Sequence, residues 1–453
     1  MKLFFEPSSV AVVGASSDPN KGGFALINNL KEKFHRRLYP INPRHEQVCG
    51  MRSFKSVLEL PHVPDLAVIF VNAEAVPSVL DECGRKGIRR VMIQSAGFSE
   101  AGEQGVALQQ RCTSAAKEYG MRIWGPNCMG ILDAHSGMVA SFMRTDIWRG
   151  LLRPGNVSLI VQSGMLTAGF LIQILSEKYI GLSKACSIGN RCDVNECDIL
   201  EYFSQDPTTK VVALYLESLA DVPRFRAALA GLNRPVVVLK GGVSADGAKA
   251  AESHTGSLAG NADLAEGFFR QMKVYRASDF MEMVDLARAL DLWHGKRRGK
   301  RMAVLTFSGA SGIVASDYFE KLGMILSPLC RTTLNSLKSI FPAWMVPRNP
   351  VDLWPAIEKV GREAYGLAIE LVGKDPLVDG IYIHLYVDRM LLPSILQSLN
   401  GLKSIQQRVA VWAIGDTGCF RALREHVEPL GVPVYTEVGR GALALSLLAR
   451  SDT

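Results

Sequence analysis

No run of apolar residues approaches the roughly 18 that a membrane span requires, although hydrophobic residues make up 48% of this 453-residue chain. The first nine residues include Glu6 and Pro7 and lack the charged and apolar regions of a secretory leader, so none is expected. The nine cysteines are odd in number and scattered, and the nearest pair, Cys192 and Cys197, matches no common metal or redox spacing. That excludes a disulfide scaffold or a zinc ribbon and predicts a cytoplasmic, reducing location, with no metal site. A Walker A sequence is absent, and so is a complete G-x-G-x-x-G fingerprint. The net charge of +7 suggests nucleic acid, but Lys296, Arg297, Arg298, Lys300 and Arg301 supply most of it within one short stretch. Without a helix-turn-helix, zinc-finger or aromatic-basic pattern, this run reads as a solvated linker between domains, and no nucleic-acid partner is expected.

What is present is one pattern three times over. Val10-Ala-Val-Val-Gly14-Ala-Ser-Ser17 is an apolar strand entering a Gly/Ser turn. Val157 to Met165 repeats it through Gln162-Ser163-Gly164, and Met302 to Gly312 repeats it through Ser308-Gly309. Each is followed by helical spacing, over Phe24 to Phe34, Leu166 to Lys178 and Ile313 to Leu322. Strand, small-residue turn and helix open a doubly wound α/β unit, in which backbone N–H groups gather at the helix start. Further buried-strand candidates are Leu66 to Val71, Arg90 to Gln94, Val211 to Glu217, Val236 to Lys240, Gly380 to Leu385 and Val409 to Ile414. The expected architecture is α/β, with three Rossmann/flavodoxin-like doubly wound parallel-sheet domains over residues 1–140, 150–293 and 300–453.

His254 lies in Ala251-Glu-Ser-His-Thr-Gly-Ser-Leu-Ala-Gly260, a small-residue segment that reads as a flexible loop. Imidazole is nucleophilic near neutral pH, and small neighbours let a phosphoryl group approach it. Taken alone, a loop histidine is more often a surface or hydrogen-bonded residue. In the first unit, Gly14 suggests a nucleotide-type ligand. NAD fits poorly, because the turn lacks further glycines at fingerprint spacing and His35-Arg36-Arg37 stands where an acidic residue would hold a ribose. Those cations either read an extra ribose phosphate, as in NADP or coenzyme A, or are solvated helix-end charges.

Gly14-Ala-Ser, Tyr39-Pro-Ile-Asn-Pro43, Ser95-Ala-Gly-Phe-Ser-Glu100 and Gly125-Pro-Asn-Cys128 occur in an order that resembles the CoA-binding domain of the nucleoside-diphosphate-forming acyl-CoA synthetases. That superfamily includes succinyl-CoA synthetase and the ADP-forming acetyl-CoA synthetases. Gln162-Ser-Gly164, Tyr215-Leu-Glu-Ser218 and Ser253-His-Thr-Gly-Ser-Leu-Ala-Gly260 resemble its second domain, and Asn349-Pro-Val-Asp352 its third. The likeness spans nearly the whole chain. There are departures: Val161 stands where serine usually precedes Gln-Ser-Gly, Asn72-Ala73 where Pro-Ala is frequent, and Ser308-Gly-Ala-Ser-Gly312 where paired glycines are usual.

The resemblance implies that His254 carries a phosphoryl group between an acyl phosphate and a nucleoside diphosphate, with a carboxylic acid as the small-molecule substrate. Glu217, at the exit of Val211 to Leu216, is the expected orienting carboxylate. Its plain alternative is a strand-end surface charge. Gln162, Ser163 and Gly164 would bind phosphate through backbone N–H groups. CoA would lie over Gly14, Ala15, Ser16 and Ser17, with Lys21 as a phosphate contact and Pro40, Asn42, Val71, Ser95, Ala96, Gly97 and Asn127 lining its path. Arg44 and Asn72 are weaker candidates. No ATP-grasp domain is recognisable, so the chain resembles an α subunit. An ATP-grasp β subunit in an αβ hetero-oligomer would bind ADP or ATP and Mg²⁺. The glycine-rich stretch from Gly241 to Gly260 would let His254 travel between sites. Two other readings remain open: a CoA- or acyl-CoA-binding scaffold without turnover, and an NADP-dependent oxidoreductase.

Overall fold

The computed structural model describes residues 1–34, 36–219, 221–255 and 262–449, and all their side chains except those at 165–168, 251–255 and 262–264. The chain divides into two compact units, Met1–Ala287 and Arg288–Thr453. The first holds two large sheets and the second holds one.

The first sheet comprises β1 (Ser9–Val13), β2 (Arg37–Ile41), β3 (Leu66–Ile69), β4 (Arg90–Ile93) and β5 (Arg122–Trp124), all parallel, in the order β2-β1-β3-β4-β5. This is the flavodoxin-like order, whose ligand crevice lies at the carboxyl ends of the first and third strands. The strands are apolar throughout because both faces are covered. Val10, Val12, Leu66 and Val68 turn to one core with Leu26, Ile27 and Leu30 of the helix Gly22–Lys33. Ala11, Val13, Ala67 and Ile69 turn to another with Leu80, Cys83, Cys112 and Ala116 of the helices Val76–Lys86 and Glu103–Tyr119.

The second sheet comprises β6 (Gly130–Asp133), β7 (Val139–Ala140), β8 (Pro154–Val161), β9 (Leu182–Ser187), β10 (Val211–Leu216), β11 (Val236–Lys240) and β12 (Tyr275–Ala277), in the order β12-β11-β10-β8-β9-β6-β7. Its parallel part repeats the first sheet's order. The hairpin β6–β7 joins antiparallel at the β9 edge. That hairpin falls inside the stretch the sequence assigns to the first domain, residues 1–140, yet it pairs with the second sheet, and the core runs unbroken from Val12 and Trp124 to Ile160, Leu214 and Phe203. A polar seam reinforces it. Arg122, opening β5, donates to both carboxylate oxygens of Asp193 at 2.9 Å and to Asp198 at 3.0 Å. Asp198 also sits in the capping box of the helix Glu196–Gln205, whose N-cap is Asn195.

In the second unit, β13 (Arg301–Thr306), β14 (Ile325–Leu326), β15 (Val351–Asp352), β16 (Gly380–Val387), β17 (Arg408–Gly415) and β18 (Val434–Tyr435) form a parallel sheet ordered β14-β13-β16-β17-β18, with β15 beside β13. Asn349 holds three backbone partners here. It accepts from the Val304 amide at 2.9 Å and donates to the carbonyls of Met302 at 2.8 Å and Ser327 at 2.9 Å. The basic run is less solvated than a free linker. Arg297 and Arg301 converge on Asp379 at 3.1 and 2.8 Å, and the Lys296 ammonium donates to the Ile405 carbonyl.

The expected helices begin two to four residues earlier than apolar spacing indicates, at Gly22, Gly164 and Gly309, because the small turn residues themselves enter the first turn. The larger difference concerns His254. Its backbone belongs to the helix Ala245–Thr255, where alanines at 245, 248, 250 and 251 favour helix over loop. The His254 side chain, and Gly256 to Gly260, lie outside the described residues.

Candidate active site

The candidate residues of the first sheet lie at its carboxyl edge or just inside it. Gly14 follows β1 at φ +91°, and a Cβ there would stand 2.1 Å from the Phe70 carbonyl oxygen. Gly23, at the helix start, would bring a Cβ 2.0 Å from the Gly14 oxygen. Only glycine fits either position, which draws the turn tight against the crevice. Asn42, following β2, donates to the Ala15 carbonyl at 2.8 Å and accepts from the Arg44 amide at 2.8 Å. Ser16 accepts from Asp18 N at 3.0 Å, and Ser17 accepts from Cys49 N at 3.0 Å. The Ser95 hydroxyl accepts from Val71 N at 3.1 Å and donates to Val71 O at 2.5 Å.

Gly14, Ala15, Ser16, Lys21, Asn42 and Val71 line a cavity of about 390 Å³. Lys55 and Glu82 line it too, and no local pattern marks either, since one is a single charge on a connecting segment and the other a single charge on the helix Val76–Lys86. Pro40 sits inside β2, its carbonyl accepting from Phe54 N at 3.0 Å, and the lining on that strand falls to Ile41, Asn42 and Pro43. Asn72 and Ala96 are exposed. A larger cleft of about 1210 Å³ shares Lys21 and is floored by the stacked rings of Phe70 and Phe142. Of the cations reasoned from sequence to read a ribose phosphate, His35 lies outside the described residues, and the two arginines sit elsewhere. Arg36 donates to the Pro7 carbonyl at 2.6 Å, and Arg37 begins β2, at the opposite edge of the sheet from the crevice.

The second constellation occupies the carboxyl edge of the second sheet. Gln162 follows β8, and its side chain clamps the exit of β10. Its Oε1 accepts from Glu217 N at 2.6 Å and Ser218 N at 3.1 Å, while its Nε2 donates to Ser218 O at 2.9 Å. Gln162 and Glu217 are each only 6% exposed. The Lys240 ammonium, ending β11, donates to the Glu217 carbonyl at 2.7 Å and to the Gly241 carbonyl. Burial, then the Arg276 charge, pulls the Lys240 pKa down, against the Glu217 charge, which raises it. Arg191, from the loop after β9, donates to the Ser218 hydroxyl at 2.7 Å, the Ser218 carbonyl at 3.2 Å and the buried Glu196 at 3.2 Å. Ser163 is the N-cap of the helix Gly164–Ser176 and makes no side-chain capping bond, and the N–H groups of a helix's first turn have no intrahelical partner.

The two edges meet through Asn127, a candidate from the sequence, and through Asn190 and Glu100, to which the sequence reading gave no role. Asn127, at φ +56°, donates from Nδ2 to Asn190 Oδ1 at 3.3 Å, and its own amide donates to Ser95 O at 2.9 Å. Asn190 donates to Glu100 Oε2 at 2.5 Å, and Glu100 Oε1 accepts from Gly97 N at 2.7 Å and Phe98 N at 3.2 Å. Burial pushes the Glu100 carboxyl up, but the bonds from Asn190, Gly97 and Phe98 together hold it below the ordinary carboxylate range. The helix carrying His254 runs beside the turn Ser99–Ala101. Among the described residues, no three His, Cys, Asp or Glu side chains gather into a metal-binding group. No helix among them is long and apolar enough to cross a membrane.

Comparison with known proteins agrees with this layout. Residues 8–134 match the CoA binding domain family, and residues 154–290 match the succinyl-CoA ligase like flavodoxin domain. Over 100% of its length, the chain is 36% identical to the acetate–CoA ligase [ADP-forming] II subunit alpha of Pyrococcus furiosus, covering 98% of that protein. It is 33% identical to acetate–CoA ligase [ADP-forming] II of Archaeoglobus fulgidus, of which it spans 65%. The solved dinucleotide forming acetyl-coenzyme A synthetase 1 of Ca. Korarchaeum cryptofilum, in complex with phosphate and ADP, superposes with a TM-score of 0.89 at 30% identity, over 99% of this chain and 96% of that one. The chain belongs to the ADP-forming acetate–CoA ligase family.

Proposed function

We propose that this chain is the α subunit of an ADP-forming acyl-CoA synthetase, with His254 as its phosphoryl carrier and Glu217 as the carboxylate that orients it. The assignment divides the chain into a CoA-binding domain (1–140), a phosphohistidine domain (150–293) and a further flavodoxin-like domain (300–453). In the synthesis of ATP, a phosphate oxygen attacks the thioester carbonyl, the C–S bond breaks, and CoA leaves as the thiolate. A ring nitrogen of His254 then attacks phosphorus, the P–O bond to the acyl group breaks, and the carboxylate leaves. A β-phosphate oxygen of ADP next attacks the phosphohistidine, breaking the N–P bond and regenerating imidazole. ADP and Mg²⁺ belong to an ATP-grasp β subunit, and the nine free cysteines suit a reducing cytoplasm.

The observation that carries this reading is Glu217. A buried carboxylate at a strand exit, its main chain clamped on both sides, is a costly arrangement for a purely structural residue. CoA fits the crevice at Gly14 because Lys21, Lys55 and a helix start supply donors for its phosphates. The neutral imidazole needed for attack requires its second nitrogen to be hydrogen-bonded, a role a fixed carboxylate fills.

The test is labelling with γ-³²P-ATP and Mg²⁺ in the presence of the ATP-grasp subunit of the same organism. Acid-labile, base-stable label is expected on the native chain and not on His254→Ala. The labelled chain is then chased with CoA and acetate, a branched acid, an aryl acid or a dicarboxylate, and one of these is expected to discharge it. Equal labelling of both chains, or no label with an active partner present, overturns the reading and leaves a CoA-binding scaffold.

A further inference from the structure

We infer that Tyr215 is a positioning residue for Glu217: its phenol holds the carboxylate in the orientation that His254 requires. The inference rests on the function proposed above.

Tyr215 and Glu217 are two residues apart at the end of β10, so their side chains leave the same face of the sheet. The Glu217 backbone is fully committed, its N–H to Gln162 and its carbonyl to Lys240. That fixes the Cα but leaves the carboxylate free to rotate about its side-chain torsions. The Tyr215 hydroxyl removes that freedom by donating to it. Burial, then the Glu217 charge and this hydrogen bond, push the Tyr215 phenol up to about 12, so it remains a donor across the working pH range.

The phenol is itself held in place. Its ring packs against Phe280 at 5.0 Å, and Phe280 packs against Phe170 at 5.2 Å. On the other side is Gly241, where a Cβ would stand 3.0 Å from the Tyr215 hydroxyl. A side chain there would press on the hydroxyl, so the glycine keeps the phenol's place open. Gly241 also begins the segment leading to the helix that carries His254. A tyrosine needed only for packing gains nothing from a hydroxyl that points at a buried carboxylate.

The experiment uses the assembled enzyme and the acid that discharges its phosphohistidine. Tyr215→Phe keeps the ring on Phe280 and deletes only the donor. Discharge is expected to slow by roughly tenfold to a hundredfold, the usual cost of losing a hydrogen bond to a charged group. KM for acid and CoA should be unchanged, so that the loss falls on the rate alone, as removal of a contact that acts in the transition state requires. The thermal midpoint should stay close to native. Gly241→Ala, which presses on the same hydroxyl from the other side, is expected to slow discharge in the same way. It supplies an independent reading should Tyr215→Phe fold poorly. Native rate in both variants, with Glu217→Gln slow, overturns this inference alone. A native rate in Glu217→Gln overturns the proposed function, and the inference with it.

Discussion

Replacing Gln162 with leucine decides between two roles for that residue, phosphate contact and backbone clamp. The side chain is buried, and its amide satisfies two main-chain N–H groups and one main-chain carbonyl in the exit of β10. Leucine is close in volume, so little is lost in packing. The Glu217 and Ser218 amides would remain buried and unpaired, while the Ser218 carbonyl keeps its bond from Arg191. With each of the two orphaned buried amides costing about 1–3 kcal/mol, Gln162→Leu should destabilise the first unit by roughly 2–6 kcal/mol. Urea unfolding followed by intrinsic fluorescence measures the loss as a lower midpoint at constant slope. Phosphohistidine discharge should slow in parallel, because Glu217 loses one of its two main-chain anchors. A variant that unfolds at the native urea concentration yet fails to discharge would refute the clamp and return Gln162 to direct contact with phosphate.

Three further outcomes are expected. Gly14→Ala forces φ +91° on a residue with a Cβ and drives that carbon into the Phe70 carbonyl. CoA binding by calorimetry should fall by at least about a hundredfold with the second unit's unfolding unchanged, and native affinity would show that the crevice lies elsewhere. Asn190→Leu removes the donor on Glu100, which shapes the Gly97–Phe98 turn, and should weaken CoA roughly tenfold or more; an unchanged Kd counts against that route. In the second unit, burial lowers His384 from its ordinary 6.5 to about 4, and the ring lies against Trp412 with Nδ1 3.4 Å from the Thr306 hydroxyl. It stays neutral when folded while the unfolded chain takes up a proton below 6.5. Stability should therefore decline from pH 6.5 to 4 by roughly 3 kcal/mol, and His384→Leu should flatten that slope. Equal slopes in the two proteins would refute it.

The repeated start of each domain was legible because it is local. A strand of small β-branched residues, a Gly/Ser turn and a helix are all encoded within some 20 residues, and each maps onto the first strand of the parallel part of a sheet. The hairpin β6–β7 was not legible: its strands are short, and the sequence keeps residues up to 140 with the first domain, whereas β9 of the second sheet offers the edge they pair with. His35-Arg36-Arg37 misled because the fingerprint counts residues from the first glycine. In this chain the turn from Gly14 to Lys21 precedes the helix, so the same count reaches the start of β2, and the strand's useful end is at Ile41 and Asn42. His254 was placed in a loop because glycine and serine surround it, but the alanines upstream extend the helix through Thr255. Gln162 was picked out for its backbone, whereas its amide makes bonds 55 and 56 residues away that no local pattern reveals. The pairing of Tyr215 with Glu217, by contrast, was present as simple strand alternation.

On the function proposed above, one crevice holds CoA and the other moves phosphate, and their walls share hydrogen bonds. Glu100 fixes the turn at Gly97 and Phe98 and is itself fixed by Asn190. Asn190 is followed directly by Arg191, whose guanidinium holds Ser218, and Ser218 shares the Gln162 clamp with Glu217. Displacement of Asn190 by movement at the CoA turn is therefore transmitted through one peptide unit to the group that fixes the phosphoryl site. Such coupling is reciprocal, so whatever CoA does to the order of Glu217, order at Glu217 must return to CoA affinity. Its size is bounded by the few charge-assisted bonds involved, about 1–3 kcal/mol, or roughly 5- to 150-fold in affinity. On that function, the range suits a turnover in which each crevice must respond to the other: strong enough to couple them, and weak enough to let CoA leave.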